Sequence, residues 1–157
     1  MIIALCLLVP AAVLLIWIRI KKRDGGARRI ATVLIVFISC LATASMLYLV
    51  MFISTNKLME EAREYMAGNI IYIEERRGSP LARYGMEGGF GTTSVEYSIT
   101  RMLVLHNFSE GNIWIEYTQV GYNDDGEITQ GSWRVPARWK IQRIDGEWEV
   151  LEIFEGP

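Results

Sequence analysis

The sequence predicts an α+β domain carried on a membrane anchor of two helices. Three observations lead to this prediction: two long stretches without a charged residue, one amphipathic stretch after them, and a regular alternation of apolar and polar residues through the last part of the chain. The composition, 51% hydrophobic and 22% charged, would suit an ordinary globular protein, so the distribution of residues along the chain carries the information.

The two uncharged stretches are each long enough to cross a membrane. A hydrocarbon layer of about 30 Å requires about 20 predominantly apolar residues in a helix, and we expect transmembrane helices at about residues 1–20 and 30–53. The first stretch has no basic segment before it and no small-residue cleavage site after it, which favours a retained helix over a cleaved signal peptide. Residues 1–53 are therefore predicted to form a transmembrane hairpin, and residues 54–157 a single small domain.

The connection between the two helices, residues 19–29, is strongly basic. Its basic residues are Arg19, Lys21, Lys22, Arg23, Arg28 and Arg29, and only Asp24 opposes them. Short loops rich in Lys and Arg stay on the cytoplasmic side of a membrane. We therefore expect a multi-pass plasma-membrane protein whose N-terminus and C-terminal domain both lie outside the cytoplasm. That domain is acidic overall, which argues against a nucleic-acid partner.

The two cysteines, Cys6 and Cys40, both fall within the uncharged stretches. The C-terminal domain therefore has no disulfide framework, which is more typical of exported bacterial domains than of eukaryotic secreted ones. Cys40 follows a basic and then an apolar segment, which is the order found in bacterial lipoprotein signals. Because Phe37 is bulky at the third position before the cysteine and the uncharged stretch continues past Ile53, a transmembrane helix is the preferred interpretation and lipidation of Cys40 the alternative.

An amphipathic helix is predicted directly after the second membrane helix. Apolar residues recur there at three- and four-residue spacing, and charged residues fill the other face. Gly68 stands where a C-cap would fall, and the helix can begin as a continuation of the membrane helix. We expect its apolar stripe to cover a sheet. The stripe consists of Leu58, Met59, Ala62, Tyr65 and Met66.

The next two segments are predicted less sharply. Asn69–Glu75 is rich in β-branched residues and suits either a short strand or a helical segment, so both assignments stay open. Residues 76–91 contain many glycines and one proline, which predicts a loop without a fixed element. No phosphate-binding glycine motif occurs within this loop.

From Thr92 onward the pattern alternates with period two. Turn signals at Ser109–Asn112, Asn123–Gly126 and Asp145–Gly146 divide it into a four-stranded antiparallel meander, or a sheet of four to five strands if Asn69–Glu75 joins it. Pro136 indicates a bulge or an unpaired edge position. The residues predicted to face the core are Val95, Tyr97 and Ile99, then Ile113, Ile115 and Tyr117, then Trp133, Val135, Ala137, Trp139 and Ile141, and finally Trp148 and Val150.

The hairpin Trp139–Glu152, WKIQRIDGEWEVLE, together with the order of a helix before a meander, resembles the cystatin-like half-cone of the NTF2-like superfamily. The resemblance covers residues 54–154 and implies a curved sheet wrapped around the helix. It implies no single function, because the superfamily includes enzymes, ligand-binding pockets and membrane-anchored assembly proteins. Such assembly proteins usually have one membrane crossing, and the predicted hairpin departs from that pattern.

Few residues suggest catalytic chemistry. His106 is the single histidine, near the end of the first strand, and we expect it to be a surface or hydrogen-bonded polar residue. Asp124 and Asp125 lie in a turn, where backbone geometry favours Asp. Glu96 and Glu116 are out of phase with the apolar faces of their strands. We assign no catalytic, metal-binding or cofactor-binding residue.

One feature suits a ligand pocket as well as a core. Trp133, Trp139, Tyr97 and Tyr117 can line a cavity inside a curved sheet, although aromatic residues at strand spacing are core in most proteins. An open cavity with converging polar groups would be needed for a ligand site.

These features lead to one hypothesis and two alternatives. We expect a non-catalytic, membrane-anchored extracytoplasmic module for interaction or assembly in the bacterial cell envelope, with the lipid bilayer and a further membrane or envelope protein as partners. The first alternative is a small-ligand-binding or enzymatic NTF2-like domain. The second is a small immunity or regulatory membrane protein that acts on a neighbouring protein through its helices.

Overall fold

The structure, a computed structural model, describes residues 25–67, 78–85 and 91–156. The chain divides between Val50 and Met51 into two compact units, which we describe separately. In chain order the elements are helix α1 (Gly25–Ser54), helix α2 (Asn56–Met66), a 3-10 helix (Pro80–Tyr84) and the strands β1 (Ser94–His106), β2 (Glu110–Tyr122), β3 (Ile128–Ile144) and β4 (Glu147–Glu155).

The described part of the first unit is helical and apolar. Within the described residues one helical stretch, Thr32–Met66, is long and apolar enough to cross a membrane, and its most apolar window has a mean hydropathy of 2.4. Two polar side chains in the first unit bond within the helix, since the Ser39 hydroxyl donates to the Ile35 carbonyl at 2.8 Å and the Thr43 hydroxyl to the Ser39 carbonyl at 2.9 Å. The predicted first helix, residues 1–20, lies outside the described residues, and α1 begins at Gly25, inside the predicted basic loop.

The second unit contains the predicted meander. Its four strands pair antiparallel in the order β1-β2-β3-β4, so the four-stranded prediction is confirmed. Asn69–Glu75, the segment considered for a fifth strand, lies outside the described residues.

Helix α2 covers one face of this sheet, which we call the inner face. All five residues of the predicted apolar stripe are buried, and the helix ends at Met66 with Ala67 as its C-cap. A single residue, Thr55, separates α1 from α2. The side chains that meet the stripe from the sheet and are themselves fully or almost fully buried are Val104, Ile113, Ile115, Ala137, Trp139, Ile141 and Val150.

The prediction that Trp133 faces the core is wrong. Val135 pairs with Tyr117 and Ser132 with Gln119, so two residues of β3, Trp133 and Arg134, stand opposite the single residue between those partners on β2. Such a bulge shifts the alternation by one position and sends Trp133 to the opposite side of the sheet, the outer face. Trp133 is 58% exposed there, whereas Trp139, beyond the bulge, is fully buried.

Two of the three further bulges, and one position beside the end of a strand, also bear on the predicted pattern. Met102 on β1 and Leu151 on β4 are each an extra residue in the pairing and are exposed. The carbonyl of Pro136 accepts a hydrogen bond from the Gly156 amide at 3.3 Å. The Pro136 nitrogen, which carries no hydrogen, faces the same side as its carbonyl, and β4 ends there at Glu155. Pro136 therefore has no strand partner on that side that would need its N–H.

Two local predictions need correction. The first turn occupies Asn107–Ser109, before the predicted Ser109–Asn112, because the Asn107 side chain accepts hydrogen bonds from the amides of Ser109 and Glu110 at 3.0 and 2.9 Å. The predicted loop 76–91 contains the 3-10 helix. The Ser79 hydroxyl accepts from the Leu81 amide at 3.3 Å, and Leu81 and Tyr84 are buried on the same side of its turn.

The contrast between the two tryptophans of β3 predicts their effects on stability. Trp139→Ala should lower the free energy of unfolding by about 3–5 kcal/mol, because it removes a fully buried ring. Trp133→Ala, the matched control, should change it by no more than about 0.5 kcal/mol. Urea unfolding of residues 51–157 measures both, and equal losses in the two variants would contradict the position of the bulge.

Candidate functional site

The single histidine joins the start of the second unit to the end of β1. His106 is buried, and its Nε2 lies 3.1 Å from the Met51 carbonyl and 3.0 Å from the Ser54 hydroxyl. Its Nδ1 accepts the amide hydrogen of Phe108 at 3.1 Å, so the proton is assigned to Nε2, which donates to the helix end. Trp148 packs against the ring with centroids 4.4 Å apart. His106 is therefore a hydrogen-bonded structural residue, one of the two roles predicted for it.

Arg101 makes a second link between β1 and the same segment. Its guanidinium donates to the Thr55 hydroxyl at 2.6 Å and to the Asn56 side-chain carbonyl at 2.8 Å. It also lies 3.5 Å from the centroid of the Phe52 ring, a cation–π contact. We call Met51–Asn56 together with Arg101 and His106 the entry joint.

A network of polar groups, some buried and some partly exposed, links β2, β3 and β4 to the 3-10 helix on the inner face. The Trp139 indole donates to the Tyr84 hydroxyl at 2.8 Å, and the Tyr117 hydroxyl donates to a Glu155 carboxylate oxygen at 3.0 Å. Arg83 pairs with the other oxygen of Glu155 at 3.0 Å. The Gln119 amide donates to the carbonyls of Met66 and Tyr84, which ties α2 and the 3-10 helix to β2.

Burial perturbs the two tyrosines of this network. Burial, and after it the negative charge of Glu155, raises the pKa of Tyr117 to about 12. Burial also raises the pKa of Tyr84 well above its ordinary value. Both hydroxyls therefore stay neutral over the physiological range, where the Tyr117 hydroxyl donates to Glu155 and the Tyr84 hydroxyl accepts from Trp139.

The four aromatic residues considered as cavity lining are not brought together. Trp139 and Tyr117 are buried on the inner face, while Trp133 lies on the outer face. Tyr97 is on the inner face but at the start of the edge strand β1, where none of the described elements covers it, and it is 39% exposed. The space between α2 and the sheet holds the buried core cluster, which includes Tyr65, Met66 and Trp139.

The carboxylates have mainly structural partners. Glu96 accepts from the Tyr122 hydroxyl and Glu116 pairs with Arg134, both on exposed surface. Sequence reasoning missed Glu155, because strict alternation from Val150 would turn it outward. The bulge at Leu151 reverses that phase, and no local signal in the sequence marks the bulge.

The remaining acidic predictions concern the β2–β3 turn. Asp124 and Asp125 are exposed there, and the Asn123 side chain organises the turn by accepting from the amides of Asp125 and Glu127 at 3.1 and 2.8 Å. Over the described ranges, no group of three or more His, Cys, Asp or Glu side chains is placed to hold a metal ion.

The outer face carries an apolar patch that none of the described elements covers. A hollow of about 540 Å³ opens on it, between Met102 and the end of β4. Met102 is 61% exposed, because the bulge pushes it out of the pairing. We define the outer-face patch as Met102, Leu103, Trp114, Pro136, Arg138 and Phe154, of which Leu103, Trp114, Arg138 and Phe154 share one cross-strand row.

Arg138 is the charged member of this patch. Its guanidinium carbon lies 4.3 Å from the centroid of the Phe154 ring. No ion pair of Arg138 occurs among the described residues, whereas Arg134 nearby is paired with Glu116. Stacking on an aromatic ring holds the guanidinium in one orientation and leaves its N–H groups able to donate.

A groove runs along the edge of the sheet that β4 forms. It has a volume of about 490 Å³ between β4, α2 and the 3-10 helix. Its walls are apolar at Leu58, Leu81 and Val150 and acidic at Glu61 and Glu149. In the described part of the chain, β4 has a strand partner on one side only.

Comparison of this chain with profiles of known protein families, with curated protein sequences and with solved structures gave no match. The resemblance of residues 54–154 to the NTF2-like superfamily therefore stays a prediction.

The raised pKa of Tyr117 predicts a loss of stability at high pH. The folded state binds the phenolic proton more tightly than the unfolded state, for which the ordinary pKa is 10.0. The contribution is therefore fully present below about pH 10 and is lost as the pH rises to about 12. Urea midpoints of residues 51–157 between these pH values should fall less steeply for Tyr117→Phe than for the natural sequence. Parallel curves would contradict this assignment.

Proposed function

We propose that this chain is a membrane-anchored, extracytoplasmic interaction module of the bacterial cell envelope, and that its α+β domain binds another envelope protein through the outer-face patch. In this proposal α1 crosses the plasma membrane, and the topology with the N-terminus and the C-terminal domain outside rests on the basic loop of residues 19–29. The helical stretch Thr32–Met66 supports the anchor by its length and apolar composition.

The observation that carries the proposal is the exposure of large apolar side chains around Arg138. A helix covers one face of an antiparallel sheet, and the solvated face is then normally polar. Here Met102, Leu103 and Phe154 remain exposed on that face beside a hollow. Contiguous exposed apolar surface on a soluble domain is typical of a binding site.

The patch indicates the chemistry of the partner. The hollow accommodates an apolar side chain, and the oriented guanidinium of Arg138 is suited to a carboxylate beside it. Arg and aromatic residues are also the residue types that contribute most to binding at protein interfaces. We therefore assign the patch to a protein that presents an apolar anchor next to an Asp or Glu.

The inner face supports an interaction role better than an enzymatic one. A ligand-binding or catalytic NTF2-like domain would use the space enclosed by the sheet. In the described residues that space holds Trp139, Tyr84 and the α2 stripe, and the polar groups there bond to one another.

The charge of Arg138 gives a direct test in intact cells. A photo-crosslinking amino acid in place of Met102 should form an adduct with the partner, and Arg138→Glu should reduce that adduct at least tenfold, because a repelled carboxylate costs more than 1.4 kcal/mol. Arg63→Glu, an equal charge reversal on the exposed side of α2, should leave the adduct unchanged.

Two results would overturn the proposal. One is an adduct that is insensitive to Arg138→Glu or equally sensitive to Arg63→Glu, which would indicate nonspecific contact. The other is an adduct with the mass of two copies of this chain, which would assign the patch to self-association.

A further inference from the structure

The end of the sheet at the entry joint has a surface that differs from the outer-face patch. The Met51 carbonyl contacts His106, which is the last residue of β1, and Lys57 contacts Glu147 at the start of β4. At the opposite end of α2, the Met66 carbonyl contacts Gln119. Helix α2 therefore runs from the end of the sheet that carries the β1–β2 and β3–β4 turns toward the end that carries the β2–β3 turn.

The β1–β2 and β3–β4 turns, at the end of the sheet that contacts the entry joint, lie side by side. The Arg143 amide, next to the β3–β4 turn, donates to the Ser109 carbonyl in the β1–β2 turn at 2.7 Å. Exposed apolar side chains project from this region at Phe108, Leu105 and Ile144. The charges around them are mixed, because Arg143 and Lys140 are balanced by carboxylates such as Glu110 and Asp145.

Phe108 is held in this exposed position against its backbone preference. Its φ is 68°, in the left-handed region that costs a residue with a side chain about 1 kcal/mol. Its amide is fixed by His106 Nδ1, and the Asn107 side chain closes the turn around it. The result is a turn closed by side-chain hydrogen bonds, and its tip is an aromatic ring 42% exposed to solvent.

We propose that this turn rests in the headgroup layer of the phospholipid bilayer, with Phe108 as its apolar anchor. The inference depends on the proposed membrane crossing of α1, because only then does the chain leave the bilayer at the entry joint, where α1 ends at Ser54. His106 touches Met51 and the Phe108 ring lies 5.1 Å from the His106 ring. A headgroup layer is about 5–7 Å thick on each side of the hydrocarbon core, so the turn is within its reach.

The chemistry of the surface specifies the kind of lipid contact. Aromatic and apolar side chains partition into the interfacial layer of any phospholipid bilayer. The mixed charges around Phe108 provide no excess of cations for anionic headgroups. We therefore expect the contact with zwitterionic as well as with anionic vesicles.

Site-specific quenching in the full-length protein tests the contact. In a background with Cys6→Ser and Cys40→Ser, an environment-sensitive fluorophore is attached through Ser109→Cys, beside Phe108, or through Asp125→Cys, in the β2–β3 turn. Vesicles of phosphatidylcholine with headgroup-region spin-labelled lipid should quench the probe at position 109 several-fold more than the probe at position 125. Equal quenching at the two positions would overturn the proposal.

A second variant separates the ring from the fold. Phe108→Gly suits the left-handed backbone and should leave the protein folded, while it removes the apolar anchor. We expect the quenching at position 109 to fall toward the value at position 125. Quenching that persists in Phe108→Gly would show that Phe108 is not the anchor and would contradict the proposal.

The same samples distinguish this inference from the anchor on which it rests. Protein that stays with the vesicles after an alkaline carbonate wash but shows no excess quenching at position 109 would refute the headgroup contact alone. Protein released by the wash would refute the membrane crossing and, with it, the headgroup contact.

Discussion

The second unit depends on the entry joint, where two side chains of β1 bond the segment Met51–Asn56. The imidazole of His106 and the guanidinium of Arg101 bond the helix end within a few residues of each other. These bonds determine which end of the sheet meets the incoming chain. A buried imidazole and a half-buried guanidinium are costly to leave unbonded, so the segment and the strand stabilise each other.

The joint also explains why the two proposed binding surfaces lie where they do. Helix α2 starts at the joint and covers the inner face, where the buried aromatic and polar groups bond one another. Exposed apolar side chains are consequently found on the outer face around Arg138 and at the turn of Phe108, the two surfaces for which we propose binding. The two surfaces differ in chemistry, since an oriented cation suits a protein carboxylate and an exposed ring between mixed charges suits a lipid interface.

The alternation of residues was sufficient to predict the meander but not the phase of every strand. Ile113, Ile115 and Tyr117 were predicted correctly because no bulge separates them. Trp133 was misplaced and the inward position of Glu155 was missed, because one extra residue in β3 and one in β4 reverse the alternation. The partners of His106 and Arg101 are distant along the chain, so the entry joint had no local signature. The outer-face patch was likewise hidden, because bulges in β1 and β4 bring Met102, Leu103 and Phe154 to this face.

Hydrogen exchange of the full-length protein in lipid nanodiscs tests the entry joint most directly. His106→Ala removes the bonds to Met51 and Ser54, and a loss of about 1–3 kcal/mol corresponds to about a 5- to 150-fold faster exchange of amides between Met51 and Met59. The β2–β3 hairpin should keep its protection. Unchanged exchange at Met51–Met59 in His106→Ala would contradict the account, because the segment would then be held without the joint.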